Sequence, residues 1–166
     1  MRDIITTIAC VAASLVIAGS ASASSTSSTM DVSVEVQNNC QISAGALSFP
    51  VAQIRDVASA KTAIDAQSHI DVLCTANSQY QLAIDGGSNP VDGRRAMSND
   101  SGGHLFYDLY TDQGRSQEWL AGTLRDGAQG SATGPVRTVV YGRINGLSAT
   151  TQSGIYRDTL TVTVNF

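Results

Sequence analysis

Few residues in this chain could do chemistry, and their spacing matches no catalytic or metal-binding pattern. The sequence has 166 residues with two histidines, His69 and His104, each in a segment predicted to be a strand and expected at the surface. No GxSxG, HExxH or P-loop motif occurs. The segment 85–92 is similar to a calcium loop, but it lacks the spaced ligands and the distal Glu, so a turn is expected. We therefore predict no enzyme activity, no cofactor and no metal.

Residues 1–23 have the features of a secretory signal peptide. Arg2 precedes an apolar run over residues 4–19, and the small residues 21–23 form a typical cleavage site. The apolar run is shorter than the ~20 residues that span a bilayer, which disfavours the alternative of a membrane anchor. Cleavage after Ala23 would leave a chain with no segment that inserts into a membrane.

The exported chain would keep two cysteines, Cys40 and Cys74, because cleavage removes Cys10. Two cysteines in an exported chain are expected to form one disulfide. Two thiols or a metal site are the alternatives, although two cysteines without neighbouring histidines suit zinc poorly. The net charge is −4, and the charges are scattered singly with no basic stripe. This distribution disfavours nucleic acid and anionic lipid as partners.

The rest of the chain consists of short alternating runs separated by glycine-rich turns. Turn signals lie at residues 85–90 and 99–103 and at Asn145-Gly146. Many short strands with little helical patterning predict one all-β domain, built as an antiparallel sandwich. The predicted strands are residues 46–51, 68–75, 80–85, 104–111, 117–120, 136–144 and 156–166.

A strictly alternating segment, residues 29–38, follows the signal peptide. Apolar and polar side chains take opposite sides of it, which predicts a half-buried strand. A Ser/Thr-rich run over residues 22–29 precedes this segment as a flexible tether. Such a strand could pair within its own domain or insert into a neighbouring molecule. Its apolar residues are Met30, Val32, Val34 and Val36.

Several motifs then follow one another in a fixed order. They are MDVSVEV (30–36), NNCQIS (38–43), HIDVLCT (69–75), YQLAIDGG (80–87), LFYDLYTD (105–112) and GIYRDTLTVTVNF (154–166). Together they resemble the spore coat protein U domain family, the subunits of archaic (Csu-type) chaperone–usher pili. The C-terminal motif with its terminal aromatic residue is the most specific, and the resemblance covers essentially the whole exported chain.

The resemblance implies an incomplete immunoglobulin-like antiparallel β-sandwich that lacks one edge strand. Residues 24–38 would be a donor strand, and residues 39–166 the pilin domain whose groove accepts the donor strand of another subunit. The donor side chains would be Met30, Val32, Val34 and Val36. The groove edge would be the core-facing side of the C-terminal strand, formed by Leu160, Val162, Val164 and Phe166.

The resemblance also implies partners and a location. A periplasmic chaperone would fill the groove first, and an outer-membrane usher would exchange it for the strand of another copy or of a related subunit. The product would be a head-to-tail fibre at the cell surface that serves adhesion and biofilm formation. A single domain with its own donor strand suits a shaft or adaptor subunit better than a two-domain tip adhesin.

Two other functions fit the same sequence. The first is a self-complete extracellular sandwich that binds carbohydrate or a surface, with Trp119, Tyr107 and Tyr110 as a sugar-stacking patch. The second is a spore-coat structural protein, which could use the same fold and the same strand exchange. Oligomeric state discriminates the first from a pilin, because a pilin without its chaperone should polymerise. Neighbouring genes discriminate the second.

Overall fold

The structure, a computed structural model, describes residues 23–52, 63–75, 78–147 and 150–166. The signal peptide predicted for residues 1–23 lies outside these ranges except for its last residue. The chain divides into two units, residues 1–35 and residues 36–166. The described ranges include no helix with the length and apolarity needed to cross a membrane.

The larger unit is built from antiparallel strands. They are β1 (Cys40–Ala44), β2 (Ile64–Cys74), β3 (Gln81–Ile84), β4 (Ala96–Ser98), β5 (His104–Phe106), β6 (Asp108–Tyr110), β7 (Arg125–Asp126), β8 (Val136–Ile144) and β9 (Val162–Asn165). One sheet has the order β1-β2-β8-β6, a second has the order β7-β3-β9, and β4 pairs with β5. This arrangement confirms the predicted all-β antiparallel fold.

The core lies between the two larger sheets because their strands alternate apolar and polar residues. In β2, for example, Ile70 and Val72 are 2% and 0% exposed, whereas Asp71 between them faces outward. Strands β3 and β8 present matching apolar faces. The core-facing side chains also include Leu82, Ile84, Leu109, Trp119, Val140 and Ile144.

The outer face of β2 and β8 carries two arginine–aspartate pairs. Arg137 donates two hydrogen bonds of 2.7 Å to Asp71, and Arg143 donates two of 2.7 and 2.9 Å to Asp65. These hydrogen bonds lower the pKa of both carboxyl groups. Because the pairs lie across neighbouring strands, they favour the observed register of β2 on β8.

Several strands differ from the predicted ones. Residues 46–51 form no strand, because the side chains of Leu47 and Phe49 turn inward over Gly142 while their backbone stays outside the ladder. The predicted strand 104–111 is divided at Tyr107, whose N–H donates to Arg95 O at 3.2 Å instead of continuing one ladder.

The remaining differences concern strand ends. Residues 117–120 make only an isolated bridge between Tyr110 and Glu118. The predicted C-terminal strand 156–166 is reduced to β9, because its first part leaves the ladder after a bridge between Ser98 and Arg157. Strands β1, β4 and β7 have two to five residues each and were not predicted.

In the smaller unit, residues 23–35 form no strand. The segment 29–38, predicted as a strand from its alternation, likewise belongs to none of the described sheets. Its apolar side chains are largely exposed, with values of 77–89% for Met30, Val32, Val34 and Val36. In this state the four apolar side chains contribute little free energy from burial, since a strand buries such side chains by packing against a partner.

Candidate functional site: an open groove between two strand edges

The first wall of the site is β9, an edge strand of the second sheet. The Asp85 N–H donates to Thr161 O at 3.0 Å, so the odd-numbered residues of this region are the ones that bond to β3. In an antiparallel ladder the intervening residues direct their N–H and C=O groups to the other side. The backbone groups of Val162 and Val164 therefore point away from β3, and no described strand pairs with them.

The side chains of this wall also divide into two rows. Leu160, Val162 and Val164 are partly buried and pack against the core, whereas Thr161 and Thr163 are exposed. This is the predicted division of the C-terminal strand. Phe166 differs from this division. The alternation predicted it on the core face, but its side chain is 57% exposed. The reason is that the last β3–β9 pair is Gln81 with Asn165, so Phe166 lies beyond the ladder.

The second wall is β1, an edge strand of the first sheet. The hydrogen bonds Thr75 N to Asn39 O and Gly45 N to His69 O, both 2.9 Å, identify the odd-numbered residues as those that bond to β2. The backbone groups of the even-numbered residues thus point toward the open side.

Ile42 marks the gap beside this wall most clearly. Its partner across the ladder is Val72, which is 0% exposed, so Ile42 also faces the core. Nevertheless Ile42 is 36% exposed. A core-facing isoleucine in this state indicates that the layer of side chains that would cover it is missing.

Between the two walls lies a cleft of about 590 Å³. Its floor includes the core side chains of Ile70, Ile84 and Leu109, and its walls include Leu47, Leu160 and Val162. The site therefore combines an apolar interior with two edges of unpaired backbone groups. An extended peptide with apolar residues at alternate positions would satisfy both requirements.

The opposite side of the sandwich is closed differently. The outer edge of β6 is covered by its own chain, since Thr111 N donates to Gln117 O at 3.0 Å and Trp119 N donates to Leu109 O at 2.7 Å. Open strand edges are aggregation-prone, and proteins usually cover them. By contrast, β1 and β9 are edge strands whose outer sides pair with no described strand.

The predicted disulfide is confirmed. Cys40 and Cys74 are bonded, with their Cα atoms 4.1 Å apart at facing positions of β1 and β2. The bond fixes the first residue of β1 to the end of β2. It therefore anchors the wall of the groove at the point where the N-terminal segment joins the domain.

The other residues considered for chemistry do not assemble into a site. His104 is exposed, and His69 lies on the outer side of β2, 3.8 Å from Asp71. The segment 85–92 forms turns, and the described ranges contain no group of three or more residues able to hold a metal ion. The sugar-stacking patch is not formed, because Trp119 and Tyr107 are 1% and 3% exposed.

Sequence reasoning missed β1 and its core-facing residue Ile42. The alternation of Cys40, Ile42 and Ala44 with polar residues was a usable signal, but it spans only five residues. Sequence reasoning also missed Asp158, whose carboxylate accepts a 2.7 Å hydrogen bond from the Tyr107 hydroxyl at one end of the cleft. Burial and this bond raise the pKa of Tyr107, which therefore stays protonated as a donor.

Comparison with known proteins bears on this groove. A model of the Spore Coat Protein U domain matches residues 26–163. The chain belongs to the Spore Coat Protein U domain family. No curated protein matches its sequence. The match to this family agrees with the resemblance noted in the sequence motifs.

One solved structure shows the same fold as this Spore Coat Protein U domain. One match is a chain from the crystal structure of the CsuC–CsuE chaperone–tip adhesion subunit pre-assembly complex of archaic chaperone–usher Csu pili from Acinetobacter baumannii. Its TM-score is 0.58 at 24% identity, covering 79% of this chain and 40% of the other. Another comes from a chaperone–tip adhesin complex of CFA/I fimbriae biogenesis, with a TM-score of 0.47 at 14% identity, covering 76% and 41%. The present chain thus spans about 40% of the length of the solved chains that it matches.

Proposed function

We propose that this chain is a structural subunit of an archaic chaperone–usher pilus, and that copies polymerise head to tail by strand donation. The observation that carries the proposal is the groove between β1 and β9, which has an apolar floor and two edges of unpaired backbone groups. Membership of the Spore Coat Protein U domain family supports it.

The donor in this proposal is the segment 24–38 of another copy. Its four apolar side chains recur at every second position, which is the spacing of one face of a strand. They are 77–89% exposed in the single chain, so insertion would bury surface that is now in water. Full burial of four such side chains contributes roughly 6–12 kcal/mol from apolar transfer. Ladder hydrogen bonds would add to this, and ordering the segment would subtract from it.

The acceptor is the groove edged by β1 and β9. Leu160, Val162 and Val164 would line it on one side, with Ile42 opposite. Backbone bonds to the two edges would supply affinity, while the fit of alternate side chains would supply specificity. The contact is heterologous, because the donor and the groove are different surfaces of each copy. Such a contact propagates without closing and forms a fibre.

Besides other subunits, the chain would have two assembly partners, a chaperone and an usher. An open groove is aggregation-prone until it is filled. A periplasmic chaperone would cover it after export, and an outer-membrane usher would exchange the chaperone for the next donor strand. The assembled fibre would lie at the cell surface, where it would serve adhesion and biofilm formation.

The two alternatives differ in how they fit the groove. A self-complete binding module would have no reason to leave Ile42 exposed, and its aromatic patch is absent because Trp119 and Tyr107 are buried. A spore-coat structural protein is suggested by the description of the family, and it could polymerise by the same strand donation. A chaperone gene and an usher gene beside this one would favour the pilus.

The test is Val34→Asp in cells that assemble the fibre. The variant is expected to reach the periplasm normally, because Val34 is 86% exposed and its replacement leaves the folded domain intact. It should not enter fibres, because a carboxylate would have to be buried in an apolar groove.

The matched control is Ser33→Asp, which introduces the same charge one residue away on the polar side of the segment. It should enter fibres normally. Immuno-electron microscopy and periplasmic subunit levels measure both effects. Normal fibres from Val34→Asp would refute strand donation by this segment.

A further inference from the structure

The segment that leads into β9 forms one wall of the groove, yet a regular ladder does not hold it. Residues 158–161 lie outside any strand, and residues 158–160 line the cleft together with Val162 at the start of β9. The segment's backbone–backbone hydrogen bonds are limited to the Asp85–Thr161 bond within the described residues, and the bridge between Ser98 and Arg157 lies just before the segment. The position of this wall therefore depends on side-chain contacts.

Asp158 makes the largest share of these contacts. One carboxylate oxygen accepts hydrogen bonds from the Ser88 N–H at 2.8 Å and from Asn89 Nδ2 at 3.2 Å. The other accepts the Tyr107 hydroxyl at 2.7 Å. Tyr107 is 3% exposed, and its ring meets Phe49 edge-on at 6.3 Å, so the hydroxyl is held by a packed core residue.

A second carboxylate extends this network to the start of β9. Asp85 accepts the N–H groups of Gly87 and Thr161, each at 2.9 Å. Arg95, which is 5% exposed, donates from Nε to the Asp85 carbonyl at 2.8 Å. A continuous set of polar contacts thus runs from the buried guanidinium to the wall of the groove.

Gly87 is part of the same construction. Its φ is +86°, and a Cβ there would lie 2.0 Å from Asp158 Oδ2. A side chain at this position would expel the carboxylate from its site. The loop 85–89 is therefore shaped to receive Asp158.

We propose that Asp158 and Tyr107 form a positioning pair that holds residues 157–161 in place, so that the groove is already formed when a donor strand arrives. This inference rests on the proposed function, because it concerns the same groove. The pair acts by positioning the wall. It keeps the unpaired backbone groups of the wall aligned, so that a strand can pair without first ordering its acceptor.

The pair should control the rate of strand entry. If the wall is in place for only a fraction of the time, the apparent association rate is the rate for the ordered wall multiplied by that fraction. Loss of one buried hydrogen bond is expected to lower the equilibrium constant for ordering the wall about three- to tenfold, so the ordered population falls by at most that factor. A contact that merely stabilised the domain would change its unfolding without changing strand entry into folded molecules.

The experiment measures association of a fluorescent peptide, residues 24–38, with the full chain carrying Val34→Asp. That substitution keeps the chain's own segment from competing. Tyr107→Phe removes the hydroxyl and keeps the ring. The matched control is Tyr156→Phe, because Tyr156 also lines the cleft but its hydroxyl donates to the Gln152 carbonyl, at 2.8 Å, and not to Asp158.

We expect Tyr107→Phe to slow association by as much as about three- to tenfold under conditions where circular dichroism shows a fully folded chain, and Tyr156→Phe to leave it unchanged. Asp158→Asn should slow association too, and by a smaller factor when Tyr107→Phe is already present, because both changes break the same contact. Equal association rates for parent and Tyr107→Phe, or multiplicative effects of the two substitutions, would overturn the positioning pair.

The parent chain separates the two hypotheses. If it binds the peptide but rejects a peptide carrying Val34→Asp, strand donation stands, and the variant data judge the positioning pair alone. If the parent binds neither peptide, the proposed function fails, and the positioning pair fails with it.

Discussion

An alanine scan of the donor segment should give a period-two pattern. Val34 is 86% exposed in the single chain, so its truncation should leave the stability of the domain unchanged. In the groove the same truncation removes two buried carbon atoms. At about 0.8 kcal/mol for each, the loss is about 1.6 kcal/mol, which weakens binding roughly 15-fold.

The neighbouring positions supply the contrast. Val32→Ala should weaken binding by a similar factor, because Val32 is 89% exposed and belongs to the same apolar row. Ser33→Ala should change binding by less than about twofold, because Ser33 lies on the opposite side of the segment and would stay in water.

The assay is equilibrium binding of peptide variants of residues 24–38 to the full chain carrying Val34→Asp, followed by fluorescence anisotropy. Urea unfolding of the corresponding full-chain variants checks that the domain itself is unaffected. A flat scan, in which Ser33→Ala costs as much as Val34→Ala, would refute alternate insertion of side chains. A fall in the free energy of unfolding on Val34→Ala would refute the exposed state of the segment.

Three further predictions concern the domain. Gly87→Ala should lower the free energy of unfolding by about 1–3 kcal/mol in urea, because its Cβ would collide with the Asp158 carboxylate at positive φ. Cys40→Ser should lower it by about 2–4 kcal/mol, since the disulfide no longer restricts the unfolded chain, and thermal unfolding measures this. The hydrogen bonds from Arg137 lower the pKa of Asp71 in the folded chain. The stability that this pair contributes is present above the pKa of Asp71 in the unfolded chain and should be lost as pH falls below about 4. Asp71→Asn should therefore flatten the acid part of a plot of unfolding free energy against pH.

Each of these predictions has its own control. Gly93→Ala has a comparable φ of +76° with no atom within 4 Å, so a loss equal to that of Gly87→Ala would exclude the carboxylate contact as the cause. Added reductant should destabilise the parent and leave Cys40→Ser unchanged, and an equal effect on both would contradict the disulfide's role. An unaltered acid profile for Asp71→Asn would contradict the contribution of the Asp71 pair.

The predictable part of the fold is the part with long alternation. The predicted strand 136–144 coincides with β8, because nine residues with an apolar inward row suffice to define both period and ends. Residues 80–85 contain β3 for the same reason. In contrast, β1 has only five residues at an open edge, where the core-facing Ile42 has no covering layer, so its sequence carries a weaker apolar signal.

The groove itself could be predicted only through the family resemblance. Its walls come from residues about 120 positions apart, such as Ala44 and Val162, and no local pattern indicates that they face one cleft. The same holds for the contact between Tyr107 and Asp158, which are separated by 51 residues. Local alternation could predict that Tyr107 occupies a strand, but not that the strand divides there to bury its ring.

The central claim is that a donor strand pairs with the open edges of β1 and β9, and residue-resolved hydrogen exchange tests it most directly. The amides of Ile42 and Val162 point away from their ladder partners, so they should exchange rapidly in the full chain carrying Val34→Asp. After addition of the peptide of residues 24–38, both amides should become protected, while that of Thr163, already paired with β3, should change little. Unchanged exchange at Ile42 and Val162 in the presence of bound peptide would contradict strand addition at this groove.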